Sequence, residues 1–339
     1  MTYVNTLEAL ESFFSEKFMD TIISYSFVLV LLLAAELFYF SIADRFNIID
    51  KPNERSSHNY ITIRGGGIIW WVAALLFLLF HFSSLGLWFF AGITLIAGVS
   101  FVDDIVSLGQ RVRLLFHLLA MSCAFYLSGV FGIYPWWAIV IGYIVFIGIV
   151  NAYNFMDGIN GITGLYSIAV LASLQYVNMT YGSFVHPDLI WFPMLASVVF
   201  LFFNFRKRAR CFAGDVGSVA IAFWIVTLLL LLIVKTENLI WLGFLMVYGV
   251  DAVMTIVHRL YMKQNIMEAH RLHFYQILVN ERRMPHRLVS LIYFGVQLVC
   301  SALIVVLYPV MGWGIFGLVL MVLMAVYLLK FRMMNAKNI

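Results

Sequence analysis

The stretch Asn151-Ala-Tyr-Asn154-Phe-Met-Asp157-Gly-Ile-Asn160-Gly-Ile-Thr-Gly164 is polar where its surroundings are almost wholly apolar. It follows the apolar run from Trp136 to Val150 and precedes the run from Leu165 to Val177, so it lies where one long apolar helix ends and the next begins. Polar groups at such a junction must offset the cost of leaving water. Asn151, Asn154 and Asp157 recur every three residues, which gathers two amides and a carboxylate on one face of a helix end. Gly158, Gly161 and Gly164 would let a bulky anion approach the backbone closely. The plainer alternative is a helix corner with a water-facing Asp157 and helix-packing glycines. A plain corner needs one cap, whereas this one gathers three amides, a carboxylate and three glycines in fourteen residues.

The flanking runs belong to a larger pattern. Of 339 residues, 63% are hydrophobic and 11% charged, which excludes a water-soluble domain with a polar surface. Because a chain in lipid must satisfy its backbone internally, the expected fold is all-α, a polytopic membrane helix bundle. Apolar windows fall near 22–43, 65–82, 85–102, 112–130, 136–153, 161–180, 189–205, 213–234, 239–258, 288–307 and 310–329, about eleven transmembrane helices in one domain. Threading them alternately puts 19 of the 21 lysines and arginines on one side, leaving only Lys17 and Lys235 opposite. By the positive-inside rule that side is cytoplasmic, with the N-terminus outside and the C-terminus inside.

Residues 1–21 carry Glu8, Glu11, Glu16 and Asp20 and no basic leader, so no cleavable signal is expected there. Val4, Leu7, Phe14 and Phe18 sit at helical spacing and predict a short interfacial helix. Cys123, Cys211 and Cys300 have no metal or redox spacing.

Nearly all the chemistry lies on the inner side. The loop from Asp44 to Gly67 brings Lys51, Arg55, His58 and Arg64 to the triplet Gly65-Gly66-Gly67, either a wall for a polyanion or a membrane anchor with close helix packing. Asp103 and Asp104 are adjacent at the end of the third span, where two carboxylates repel unless a cation or donor lies between them. They read as a metal- or phosphate-handling site, or as a solvated acidic cap. His117, a further turn along, reads as a packing residue.

The cluster Arg206-Lys-Arg-Ala-Arg210 is a topology anchor, or a contact for lipid headgroups. Gly214-Asp215-Val-Gly217-Ser218 then puts one carboxylate and exposed backbone N–H groups at a positive helix end. Asp251 lies deep in the ninth span, where an ionisable residue is functional by default. In the long inner loop at 259–287, His270 and His273 share a helical face with Arg271 beside them. That set suits a pyrophosphate better than a zinc ion lacking further ligands, or else forms a surface amphipathic helix.

The Asn151–Gly164 stretch resembles the signature of the polyprenyl-phosphate N-acetylhexosamine-1-phosphate transferases, relatives of the enzymes that act on muramoyl-pentapeptide. The similarity runs from about Asp50 to Gln276, with the motifs in the family's order. It implies that Asp103 and Asp104 are the family's Asp-Asp pair, that Asn151, Asn154 and Asp157 are its Asn/Asp motif, and that Asp215 ligates magnesium, with Asp157 beside it. Asn160, His270, Arg271, His273, Arg64 and Lys51 are then expected to contact substrate. Asn160, standing where many members have a second Asp, and the sparse histidine loop are similar to the branch that initiates O-antigen or related polysaccharides.

The resemblance further implies a UDP-N-acetylhexosamine donor, undecaprenyl phosphate as acceptor, Mg2+ or alternatively Mn2+, membrane lipid but no nucleic acid as a partner, room for a homodimer, and a multi-pass inner-membrane location with a cytoplasmic active site. The chemistry agrees: bringing a pyrophosphate and a lipid phosphate together requires cations. Asp103 is expected to orient or deprotonate the lipid phosphate and Asp104 to hold cation or structure. The reading from another class is a cation- or proton-coupled transporter, against which stand carboxylates at one face and no inverted repeat.

Overall fold

Long runs of apolar residues leave the backbone only itself to bond with, and in this protein every such run is a helix. The structure is a computed structural model describing residues 2–50, 60–265 and 270–334, with side chains described from Met19 onward except at 84–85. In chain order, α1 (Thr2–Arg45) leads to a two-stranded hairpin, β1 (Ile49–Asp50) and β2 (Thr62–Ile63), paired antiparallel with Ile49 opposite Ile63. Then come α2 (Ile68–Phe80), α3 (Ser84–Ile105), α4 (Gln110–Leu127), the single turn α5 (Val130–Ile133) and α6 (Trp136–Met156). The second half holds α7 (Ile162–Thr180), α8 (Asp188–Asn204) and α9 (Gly214–Thr236). A 3₁₀ segment (Leu239–Leu245) runs into α10 (Met246–Tyr261), and α11 (Phe274–Asn280), α12 (His286–Met311) and α13 (Trp313–Met333) complete the chain.

A helix stands at each of the eleven predicted windows, and among the described residues eight are long and apolar enough to cross a membrane. Of the other three, α2 and α8 have 13 and 17 residues, about 20 and 25 Å at 1.5 Å per residue and so shorter than a hydrocarbon core. The third, α4, opens with Gln110, Arg111 and Arg113 and buries His117. The separate N-terminal interfacial helix is corrected. α1 runs unbroken from Thr2 into the first apolar span, because nothing in 1–21 is a helix stop.

The centre of the bundle is α9. It is buried along nearly its whole length and packs against α2, α3, α4, α6 and α7. Outward-facing Phe27, Phe38, Ile144, Val306 and Met321 are more than half exposed, an apolar surface that suits acyl chains and not water. All three cysteines are buried and free.

The first loop is joined to the start of α9. Phe212 donates its N–H to Ile63 O at 2.8 Å, Gly66 to Phe212 O at 2.8 Å and Gly67 to Ala213 O at 3.1 Å. A Cβ on Gly67 would lie 2.3 Å from Gly217 Cα, so α2 and α9 start backbone against backbone. Of the two readings of the glycine triplet, close helix packing is the one observed.

Candidate active site

Asp104 and the start of α9 fix the frame. Its Oδ1 accepts the Asp215 N–H at 3.0 Å and its Oδ2 the Val216 N–H at 3.0 Å, while Arg64 Nε lies 2.7 Å from Oδ1. The carboxylate is sealed from solvent. Gly214 is left-handed at φ +70°, and a Cβ there would stand 2.6 Å from Asp104 Oδ2, so only glycine lets the acid reach the helix end. This corrects the expectation of exposed N–H groups at Asp215, since Asp104 already occupies the first of them. Adjacent acids at 103 and 104 coexist because each has its own donors.

Asp103 accepts the Leu108 N–H at 2.6 Å and Arg113 Nη1 at 2.8 Å. Asp215 lies between the same two arginines without closing on either, at 3.7 Å from Arg64 Nη2 and 3.7 Å from Arg113 Nη1. Its side chain is 23% exposed, against 9% for Asp103 and none for Asp104. Of these three acids, Asp215 is therefore the most accessible to a ligand. Burial opposes the charge of Arg64, but Asp104, Asp215 and Asp50 outweigh it and hold its pKa above the ordinary value.

The α6 end faces this cluster. Ser218 donates to Asn154 Oδ1 at 2.7 Å, which locks α6 to α9. Asp157 lies three residues beyond Asn154 and Asp215 three before Ser218, and the two helices run in opposite senses. Both acids thus stand one turn from that bond, toward the same end. Asn151 is half-buried one turn deeper. Asp157 accepts Thr163 Oγ1 at 2.5 Å, and burial, with Asp104 nearby, pushes its pKa up to about 6 despite that bond.

The corner glycines are a correction. A Cβ at Gly158 would meet Tyr275 Oη at 2.2 Å, at Gly161 Phe205 at 2.3 Å and at Gly164 Leu201 at 2.8 Å. Protein side chains, not an anion, occupy the space they leave. Asn160 is buried, and its amide donates to Arg206 O at 2.9 Å and Tyr60 Oη at 3.3 Å, which holds the corner to neighbouring loops. Lys51 lies outside the described residues.

The histidine segment is not helical from 270 to 272. Helix α11 begins at Phe274 with His273 as its cap, which corrects the shared helical face. The two rings still meet, their centroids 4.8 Å apart. Asp251 supplies the reason for the fold of this loop. It accepts the Phe274 N–H at 2.8 Å, the Tyr275 N–H at 3.4 Å and Tyr293 Oη at 2.7 Å, and lies 3.4 Å from His273 Nδ1. An acid deep in an apolar helix here anchors the loop.

His273 is nearly sealed, whereas Arg271 and His270 are half-buried. Burial, with His273 and Arg259 nearby, pushes the His270 pKa down to about 3, so the ring is neutral at pH 7. Its Nδ1 accepts the Leu272 N–H at 3.2 Å, which leaves Nε2–H as a donor. Tyr275 Oη donates to Phe155 O at 3.0 Å and connects this segment to the Asp157 corner. Asp251→Asn should release α11 and lower activity by at least about tenfold, since a misplaced positioning group loses rate steeply. Unchanged activity together with an unchanged proteolysis pattern of the loop would refute the anchoring role.

Arg113, Thr163, Tyr275 and Tyr293 were not singled out from sequence, and Ser218 only as the last residue of the Gly214–Ser218 stretch. Arg113 alone had a signal, a cation shortly after an Asp pair, but a helix break between them hid the contact.

A polytopic helical membrane protein with carboxylates and arginines gathered at one end of its bundle is the class defined so far. Residues 86–233 match Glycosyl transferase family 4, and the matched stretch holds α3, α6 and α9 with their four acids. The chain is 26% identical over 290 residues to the Bacillus subtilis (strain 168) protein named "Probable undecaprenyl-phosphate N-acetylglucosaminyl 1-phosphate transferase", covering 80% of each chain. It is 26% identical over 211 residues, 56% of each chain, to the Escherichia coli (strain K12) undecaprenyl-phosphate alpha-N-acetylglucosaminyl 1-phosphate transferase. Over 88 residues it is 38% identical to the phospho-N-acetylmuramoyl-pentapeptide-transferase of Petrotoga mobilis (strain DSM 10674 / SJ95), covering 26% of this chain and 25% of that one.

Proposed function

We propose that this protein transfers N-acetylhexosamine 1-phosphate from a UDP-linked donor to undecaprenyl phosphate, releasing UMP, as the first membrane step of a surface polysaccharide. The observation that carries the reading is the meeting of Asp103, Asp104 and Asp215 with Arg64 and Arg113, facing Asn154 and Asp157, at one end of the helices. The names of the relatives support the same reaction class and give the transporter alternative no support. The excess of loop cations on this side supports a cytoplasmic active site, and we assign the protein to a bacterial inner membrane. Such a site stands where a soluble nucleotide sugar and a bilayer lipid can meet.

The donor set fits a hard divalent cation. Asp215 is partly exposed and not closely paired, and Asp157 is a carboxylate whose burial already disfavours its charge. These two would hold Mg2+, which supplies charge neutralisation for the donor's diphosphate. Arg64 and Arg113, each paired to one acid at the cluster, add positive charge beside it. Asp104 keeps the start of α9 in place. Asp103 faces the acceptor and orients its phosphate. His270 and Arg271 reach the donor from the loop, and His273 positions them.

A lipid phosphate is mostly dianionic at pH 7, its second pKa being near 6, so it is a competent nucleophile without a covalent relay. Direct displacement is the mechanism we assign. The test is carried out in detergent, where no gradient exists: purified protein, Mg2+, a UDP-HexNAc and undecaprenyl phosphate should give lipid-linked sugar and UMP. Absence of product across several UDP-HexNAc donors would overturn the function. Labelled UMP should exchange into UDP-sugar only when the lipid is present, and exchange without lipid would overturn direct attack.

A further inference from the structure

The opposite end of the bundle holds a second cluster of polar side chains that this reaction does not use. His81 ends α2, and Asp188 opens α8 directly after the loop that carries His186. Along α2 this is about 20 Å from Gly67 and the carboxylates. His81 Nε2 lies 2.7 Å and His186 Nδ1 3.9 Å from the same atom, Asp188 Oδ2, and the three donor atoms lie within 4.8 Å of one another. Tyr25 donates to the other oxygen, Oδ1, at 2.7 Å. We propose that His81, His186 and Asp188 form a binding site for a divalent transition metal of the zinc type, distinct from the cation at the active site.

Two imidazoles and a carboxylate are a ligand set of borderline softness, suited to zinc and not to magnesium, which prefers oxygen alone. Zinc bonds of about 2.0–2.2 Å put the ligand atoms of one ion about 3.3–3.5 Å apart. The observed 2.7 and 3.9 Å lie on either side of that spacing, so small side-chain rotations bring the three together, with His186 Nδ1 exchanging the Asp188 N–H it accepts at 3.3 Å for the ion. Tyr25 orients the carboxylate as an outer-shell partner does, leaving Oδ2 for the ion. A simple tie between α2 and α8 would need only the His81–Asp188 hydrogen bond. His186 Nδ1 accepts the Asp188 N–H at 3.3 Å, yet its ring is 54% exposed and stands with its centroid 4.2 Å from that of His81, more than a tie between the helices requires.

Access is open. The cluster borders a cleft of about 380 Å³ lined by His81 and His186 among Phe77, Phe82, Phe184 and Leu231. Three protein ligands leave a fourth position, and it would face this cleft. Bound metal would clamp the end of α2 to the start of α8.

The test uses tag-free, chelator-treated full-length protein in detergent, titrated with Zn2+ by calorimetry and with Co2+ by visible absorption. Wild type should bind one equivalent of zinc per chain and give the absorption of low-symmetry Co2+. His186→Ala, His81→Ala and Asp188→Asn should each weaken binding at least about tenfold, as loss of a ligand does. His186→Ala is the decisive variant, because its exposed ring makes it least able to disturb folding, and its Mg2+-dependent transfer activity should equal wild type. No stoichiometric zinc binding by wild type, or equal binding by wild type and His186→Ala, would overturn the site.

Discussion

Asp215→Asn should lower transfer activity by about two to three orders of magnitude while the protein stays folded, the loss expected when one preorganised electrostatic group is removed. The asymmetry of the cluster is the reason. Arg64 and Arg113 each have a nearer partner, Asp104 at 2.7 Å and Asp103 at 2.8 Å, so neither loses its main contact when Asp215 is neutralised. The neighbouring change, Asp104→Asn, should behave differently. One amide oxygen cannot serve the Asp215 N–H, the Val216 N–H and Arg64 together, and breaking a buried ion pair costs about 3–5 kcal/mol. Its thermal midpoint in detergent should fall along with its activity. Near wild-type turnover of Asp215→Asn at ordinary magnesium would remove Asp215 from the site.

This division of labour among the acids was only partly legible in the sequence. Apolar windows identified the helices because lipid leaves the backbone no alternative, and the Asn-x-x-Asn-x-x-Asp spacing correctly put Asn154 and Asp157 at one helix end. Which acid is structural was not legible. Asp104 and Asp215 are far apart in sequence, and the left-handed Gly214 that lets them meet has no local signature. The glycines misled for a related reason. A glycine reports that something comes close, and at 158, 161 and 164 the neighbour is Tyr275, Phe205 and Leu201. Asp251 read as functional by depth alone, while its partners Phe274 and Tyr293 come from two other elements.

Asp157→Asn should lower kcat by about a hundredfold and, in the absence of magnesium, raise the thermal midpoint. Both effects have one cause. Burial pushes the Asp157 pKa up to about 6 from the ordinary 3.8, so the folded protein holds this proton more tightly than the unfolded chain does. Stability from the protonated acid is fully present below about pH 4, is lost as pH rises toward 6, and stays lost above it. At pH 7.5 the ionised acid therefore costs up to about 3 kcal/mol, which a neutral amide of the same shape avoids and a bound divalent cation would offset. Wild type should accordingly gain thermal stability on adding Mg2+ at pH 7.5, and Asp157→Asn should gain much less. In wild type at low magnesium, activity should rise with pH through about 6 as the carboxylate ionises, a limb that more magnesium moves to lower pH. Equal magnesium stabilisation of wild type and variant would show that Asp157 does not face the cation, and the corner it occupies would then serve only to join α6 to α7.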